Sequence, residues 1–417
     1  MLLAAWALLA VNNITKIPLY IGYDIAHHYA YISYITEKGA IPLATEGWQM
    51  FQSPLFYLMS AGLREFLSLF LSANTVQYML RVIPLCCGAL QVQLAYQATR
   101  YVFPSRNDLQ MMGTIVGGFL PMNFYISQVV GNEPLAGVLS AAAIVIALGI
   151  LTQTGPLSRG KLVFWGVVSG LACLTKVTAV LLIPAFVLVL IYVMSMKEEP
   201  AQNIISGLAI FLGAVVIVSG WYYLRNWIAM GKPFLGGWDI SRGQVWWQDP
   251  GYRTIGDFVY CGKSLSHPVY SDIYGFWDAI YSTFWLDGLN SSIVSYEIRP
   301  PWNYDFMISG AVLSLLPAAG IILGFITGIG KPGAAHPGQV FSAYCITVYF
   351  TALLYLYVTV PIYSTAKATY TVGLIPCYAI MCVTGLDVLT RNKYLRAAVY
   401  ALLICWAVSA YASYFVV

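Results

Sequence analysis

The sequence predicts an all-α polytopic membrane protein. A bundle of about eleven transmembrane helices is expected, with interfacial helices in long outer loops. Three observations carry the fold class. Hydrophobic residues make up 59% of the 417 and charged residues 9%, while mean hydropathy is +0.72, so the average side chain has apolar surroundings. Apolar runs near the ~20 residues that cross a bilayer recur along the whole chain. Ionisable side chains gather between those runs.

Taken in order, the runs lie near 1–20, 76–99, 108–126, 134–153, 161–175, 177–195, 203–223, 306–328, 339–360, 369–389 and 396–416. The first, MLLAAWALLAV, lacks a charged leader and a small-residue cleavage site, which predicts a retained helix rather than a signal peptide. Pro54 to Leu71 is also apolar, but Arg64 and Glu65 stand at its middle. It is expected to lie in the interface. Residues 21–75 then form a first outer loop and residues 224–305 a larger one, within a single integral membrane domain covering 1–417. The Pro, Gly and aromatic content of the larger loop, as in GQVWWQDPGYR, favours short interfacial helices and a lid.

With the N-terminus in the cytoplasm, the inner short loops hold Arg100, Arg106, Arg159, Lys161, Lys197, Lys331, Arg391, Lys393 and Arg396. The outer short connections keep only Lys176 and Lys367. A net charge of +4 with scattered basic residues excludes a nucleic-acid footprint. Seven of the eight cysteines fall in apolar runs, so there is neither a disulfide framework nor metal-type spacing.

Under this topology the rare polar residues meet on one side. Asp24, His27, His28 and Tyr31 stand at i, i+3, i+4 and i+7, one face of a helix over 24–38. A carboxylate beside imidazole and phenol suits proton handling or metal binding, and equally an interfacial anchor. Glu133 opens a span in GNEPLAG, where it could also complement the helix dipole. Lys176 in LTKVT could snorkel, and Arg225 in WYYLRNW could belong to an aromatic belt. Lys367 in STAKATY has no acid nearby. Charges at membrane depth tend to face a cavity or one another, so convergence of these residues on one outward cavity is expected.

These residues resemble a family. Asp24 with the following HHY, then Gly39, Ile41, Pro42 and QSPLFY, is similar to the first outer loop of GT-C glycosyltransferases, in particular the protein O-mannosyltransferase and aminoarabinose-transferase-like group. GNEPLAG, LTKVTAVLLIPAF, GWYYLRNWIAMGKPF and KATYTVGLIPCYAI resemble later motifs of that group, in the same order. Two departures stand out: Asp24 precedes Ile25 where the group often has a second acid, and Lys367 stands where many members carry Arg.

The resemblance implies a glycosyltransferase that moves a sugar from a polyprenyl-phosphate donor, undecaprenyl or dolichyl, to a lipid, glycan or protein acceptor on the non-cytoplasmic face. Asp24 matches the catalytic carboxylate and Glu133 the second-loop acid. Lys176, Arg225 and Lys367 would bind the donor phosphate, with His27, His28 and Tyr31 near the acceptor. A divalent metal held by Asp24, Glu133 and His27 or His28 suits these ligand types, and the mechanism does not require it. A bacterial plasma membrane is favoured over the endoplasmic reticulum. A transporter or lipid flippase is the alternative, and a scaffold binding a partner subunit through 224–305 a third.

Overall fold

The computed structural model describes residues 1–243, 253–267, 274–287, 299–329, 336–360 and 365–417, and among them every regular element is helical. In chain order these are α1 (Leu2–Asn13), α2 (Ile25–Lys38), α3 (Leu55–Ser68), α4 (Ala73–Met79), α5 (Val82–Val102), α6 (Asn107–Gly118), α7 (Pro121–Ile126), α8 (Glu133–Leu151), α9 (Arg159–Thr175) and α10 (Ile183–Met196). There follow α11 (Ala201–Val215), α12 (Trp221–Met230), α13 (Gly256–Val259), α14 (Lys263–Ser266), α15 (Phe276–Trp285), α16 (Tyr304–Leu313), α17 (Leu315–Ile329), α18 (Pro337–Thr359), α19 (Ile375–Thr390) and α20 (Lys393–Tyr414).

Eight helical runs among the described residues are long and apolar enough to cross a membrane. The expected spans at α1, α6 and α9 correspond to helices of 12, 12 and 17 residues. At 1.5 Å per residue, twelve residues reach about 18 Å, short of the ~30 Å hydrocarbon layer. The chain turns early in one of these runs because Pro121 starts a new helix, α7, just after α6 ends.

The middle of the bundle is built on α8 and α19, whose apolar stretches are buried over 78% and 83% of their length. Close packing there needs glycine: a Cβ on Gly324 would lie 2.0 Å from the Met381 carbonyl oxygen, and one on Gly385 2.0 Å from that of Gly320. Small residues thus let α17 and α19 meet backbone to backbone.

Three breaks interrupt the helical runs. A π turn at Val216–Gly220 joins α11 to α12. The 3-10 turns Val177–Leu182 and Ala368–Leu374 lead into α10 and α19, each of which carries Pro in its first turn. The extended residues just before those turns are Lys176 and Lys367, so two lysines are set at matching helix breaks.

Residues 21–75 hold α2 and α3, with Arg64 Nη1 of α3 donating to Ser33 Oγ of α2 at 2.6 Å. The far end of α3 leaves Phe66, Leu69 and Phe70 exposed, the pattern of a helix lying on lipid. In the stretch 224–305, α12 continues to Met230, and α15 is largely buried against the bundle. Most of GQVWWQDPGYR, like Lys331, lies outside the described residues.

Candidate active site

Asp24 opens α2 without joining it. Its backbone is left-handed, φ 50° and ψ 27°, and its carboxylate makes no capping bond to the helix. An Asp there ordinarily accepts from an amide two or three residues on. Instead Oδ2 accepts from Gln49 Nε2 at 2.8 Å, and the residue stays partly exposed. Positive φ is uncommon outside glycine, and Glu198 is the other non-glycine case among the described residues. Such backbone outliers cluster at functional sites.

His28 and Tyr31 lie on the buried face of α2. His28 Nδ1 is 2.8 Å from the Tyr57 hydroxyl, and the Tyr31 ring stacks on Tyr57 with centroids 3.8 Å apart. Burial holds the His28 imidazole below the usual histidine range, against the opposing pull of Glu133 and Asp24. Burial also pushes the Tyr57 hydroxyl well above the ordinary phenol range. His27 is exposed, with its ring 6.1 Å from that of Trp48. The single face expected for Asp24, His27, His28 and Tyr31 thus reduces to His28 and Tyr31. Asp24 stands outside the helix, and neighbouring helical residues such as His27 and His28 diverge by about 100°.

Glu133 sits in the first turn of α8, and Lys176 reaches it from the break after α9. Their side chains form an ion pair with only 7% of the lysine and 16% of the glutamate exposed. Lys176 Nζ also lies 4.9 Å from the centroid of Tyr370. Gly131 leaves room beside this pair. A Cβ there would be 3.3 Å from Glu133 Oε2 and 3.7 Å from His28 Nε2. Asp24 and Glu133 both act electrostatically on His28, Tyr57 and Tyr370, so the two carboxylates share one neighbourhood.

Lys367 approaches from the last break. Its Nζ sits 4.0 Å over the ring of Tyr23, the residue preceding Asp24. The segment leading to it is held by Arg253 of the large outer loop, which donates to Thr365 Oγ1 at 2.8 Å and to the Tyr357 carbonyl at 2.5 Å. Asp24, Glu133, Lys176 and Lys367 therefore come from four distant segments to one end of the bundle.

Arg225 does something else. Its Nη2 donates to the carbonyls of Ile41 and Pro42, at 2.7 and 3.1 Å, and so ties down the first loop. Arg242 acts in the same way on the carbonyls of Ala44, Gly47 and Trp48. As for a metal, among the described residues no three His, Cys, Asp or Glu side chains converge at ligand spacing, and Glu133 is engaged by Lys176. The expected ligand set of Asp24, Glu133 and His27 or His28 does not form a ready ion site.

Sequence reasoning passed over Gln49, Gln52, Asn132, Tyr57, Tyr370 and Arg253. Five of these stand inside motifs already quoted, QSPLFY, GNEPLAG, GQVWWQDPGYR and KATYTVGLIPCYAI, beside residues of more distinctive chemistry.

This architecture is a polytopic helical fold shared with solved membrane proteins. Among solved structures, the chain is similar over its full length to ArnT from Cupriavidus metallidurans bound to undecaprenyl phosphate. The TM-score is 0.55 at 13% identity, covering 100% of this chain and 75% of that one. It is also similar to the Archaeoglobus fulgidus oligosaccharyltransferase in complex with Zn and sulfate, with TM-score 0.54 and 14% identity over 99% of this chain and 53% of that one. The archaeal oligosaccharyltransferase AglB from Archaeoglobus fulgidus, with an inhibitory peptide and a dolichol-phosphate, gives TM-score 0.52 and 12% identity over 98% of this chain. The chain spans about half the length of the archaeal enzyme, 55% in that last structure. No protein-family model matches the chain, and no curated protein matches it in sequence, so the likeness is one of fold.

Proposed function

We propose that the protein transfers a sugar from a polyprenyl-phosphate donor to a lipid, glycan or protein acceptor, on the non-cytoplasmic face of a bacterial plasma membrane. One observation carries this reading: a partly exposed carboxylate, Asp24, shares one end of a GT-C fold with Lys367 and the Glu133–Lys176 pair. The solved structures of similar fold hold undecaprenyl phosphate in one case and dolichol-phosphate in another, which supports a lipid-phosphate donor.

The chemistry follows from the residue types. The acceptor O–H loses its proton to the Asp24 carboxylate as its oxygen bonds to the anomeric carbon. The bond from that carbon to the phosphate oxygen breaks, and the polyprenyl phosphate leaves as an anion. Lys367 and Lys176 neutralise the charge that grows there. Glu133 restrains Lys176 and keeps the buried lysine compensated. A single displacement inverts the anomeric configuration, whereas a covalent intermediate would retain it. Arg225 positions the loop that carries Asp24 and is left out of the phosphate set. Charges gathered at one end, rather than at mid-membrane, favour transfer over transport.

The test uses purified protein in liposomes with a panel of undecaprenyl-phosphate-linked hexoses and pentoses and an extract of bacterial envelope lipids, glycans and proteins. Release of undecaprenyl phosphate is followed. Turnover of at least one panel member is expected, falling about 10²–10⁴-fold in Asp24→Asn. No turnover with any member, or an Asp24→Asn variant as fast as wild type, contradicts the reading.

A further inference from the structure

The side chains of Gln49, Gln52 and Asn132 are buried, with 6%, 9% and 0% of each residue exposed, and they form one continuous line. Asn132 Nδ2 donates to the Thr175 carbonyl at 3.2 Å and to Gln52 Oε1 at 3.1 Å. Gln52 Nε2 donates to Gln49 Oε1 at 3.0 Å, and Gln49 Nε2 donates to Asp24 Oδ2 at 2.8 Å. Each step is a hydrogen bond of ordinary length. The line joins the residue before Glu133, the residue before Lys176, and Asp24 itself.

Its direction is fixed by chemistry. A backbone carbonyl can only accept, so the Asn132 group facing Thr175 must be the amide nitrogen. That nitrogen gives its second hydrogen to Gln52, which must therefore present its oxygen. Gln52 then donates onward, and so does Gln49. The cost of this arrangement is visible: Asn132 Oδ1 is buried and has no hydrogen-bond partner among the described residues. Such orphan acceptors are rare and call for a cause. Here the cause is that both of Asn132's neighbours demand a donor. The Gln52 backbone is pinned as well, its carbonyl accepting from the hydroxyls of Tyr31 and Tyr222 at 3.3 and 2.9 Å.

We propose that Gln49, Gln52 and Asn132 are positioning residues, a one-way amide relay that holds Asp24 Oδ2 as an acceptor and leaves Oδ1 as the atom that takes the acceptor's proton. The proposal rests on the reading of Asp24 as general base. A proton on Oδ2 would have to donate to Gln49, turning Gln49 and Gln52 over and setting the Gln52 amide nitrogen against that of Asn132. The relay therefore opposes protonation at Oδ2. Oδ1 has no hydrogen bond among the described residues, and it belongs to a partly exposed residue. A base whose two oxygens are distinguished in this way delivers one defined direction of attack.

Breaking the relay tests it without touching the titratable groups around Asp24. Those are Glu133 and Lys176, His27 and His28 on α2, Tyr57 on α3, Tyr370 beside Lys176, and Lys367 over Tyr23. Gln49→Leu and Gln52→Leu, assayed on the panel member that wild type turns over, should lower kcat about tenfold or more and leave KM within about twofold. Gln49→Glu, nearly the same shape, replaces the donor on Oδ2 with an acceptor and should lower kcat at least as far, again with KM within about twofold. It also keeps the test open if the leucine variants fold poorly. Wild-type kcat in Gln49→Glu, with Asp24→Asn inactive, overturns the relay alone. Activity in Asp24→Asn overturns the underlying reading instead.

Discussion

At one end of α19, Lys367 lies over Tyr23 beside Asp24, and a second lysine is buried against Glu133. At the other end, about 24 Å along the helix, Asp387 accepts from Arg106 at 2.8 Å, and Arg106 also grips Asp108 through two bonds. Both ends pair acids with bases, and the second even lines a small cavity with Arg106, Arg391, Arg396 and the two aspartates. They differ in burial. The side chains at the Arg106 end are from 24% to 73% exposed, where ion pairs contribute roughly 0–1 kcal/mol. The Glu133–Lys176 pair is nearly enclosed, where charges are costly to bury and costly to separate. Matching charge types therefore say little. What separates a working site from a solvated surface is which groups the fold withdraws from water and which one it leaves open.

That contrast can be attacked experimentally, with the largest effect expected at Asp24. Asp24→Asn should remove about 10²–10⁴-fold of transfer while leaving the melting temperature in detergent near that of wild type. Next comes the buried pair. Glu133→Gln or Lys176→Met strands a charge, so each should cost about 3–5 kcal/mol in denaturant unfolding, and the double variant less than the sum. Lys367→Ala should weaken binding of undecaprenyl phosphate about tenfold or more, the loss of a charged hydrogen bond, with little change in stability. A smaller effect concerns pH. The His28 imidazole is held neutral by burial, so the unfolded chain binds a proton more readily than the folded one. Stability from this source is complete above about pH 6.5 and falls as pH drops from there towards the lowered folded value. Melting curves recorded from about pH 7.5 down to about pH 5 should show this decline, and His28→Gln should flatten it. The smallest effect belongs to the Arg106 end, where Arg106→Ala should change stability by less than about 1 kcal/mol.

The fold was legible because lipid imposes a plain requirement, about twenty apolar residues per crossing. The early ends of α1 and α6 were not, since a run of hydropathy does not reveal where a turn such as Leu120–Pro121 interrupts it. Asp24, Glu133, Lys176 and Lys367 stood out on the sequence because charge is scarce there, 9% of residues. Arg225 stood out for the same reason, yet a cation at the end of a span reads identically whether it faces a phosphate or the carbonyls of Ile41 and Pro42. Gln49, Gln52 and Asn132 carried no signal. Neutral amides occur in any loop, and only the bonds between them give them a direction.

The most direct measurement is a cryo-electron microscopy map of the protein with undecaprenyl phosphate. The account predicts phosphate density against Lys367 and Lys176, on the side of the first loop that carries Asp24. Density at the Arg106, Arg391 and Arg396 end, with none at Lys367 and Lys176, would contradict it.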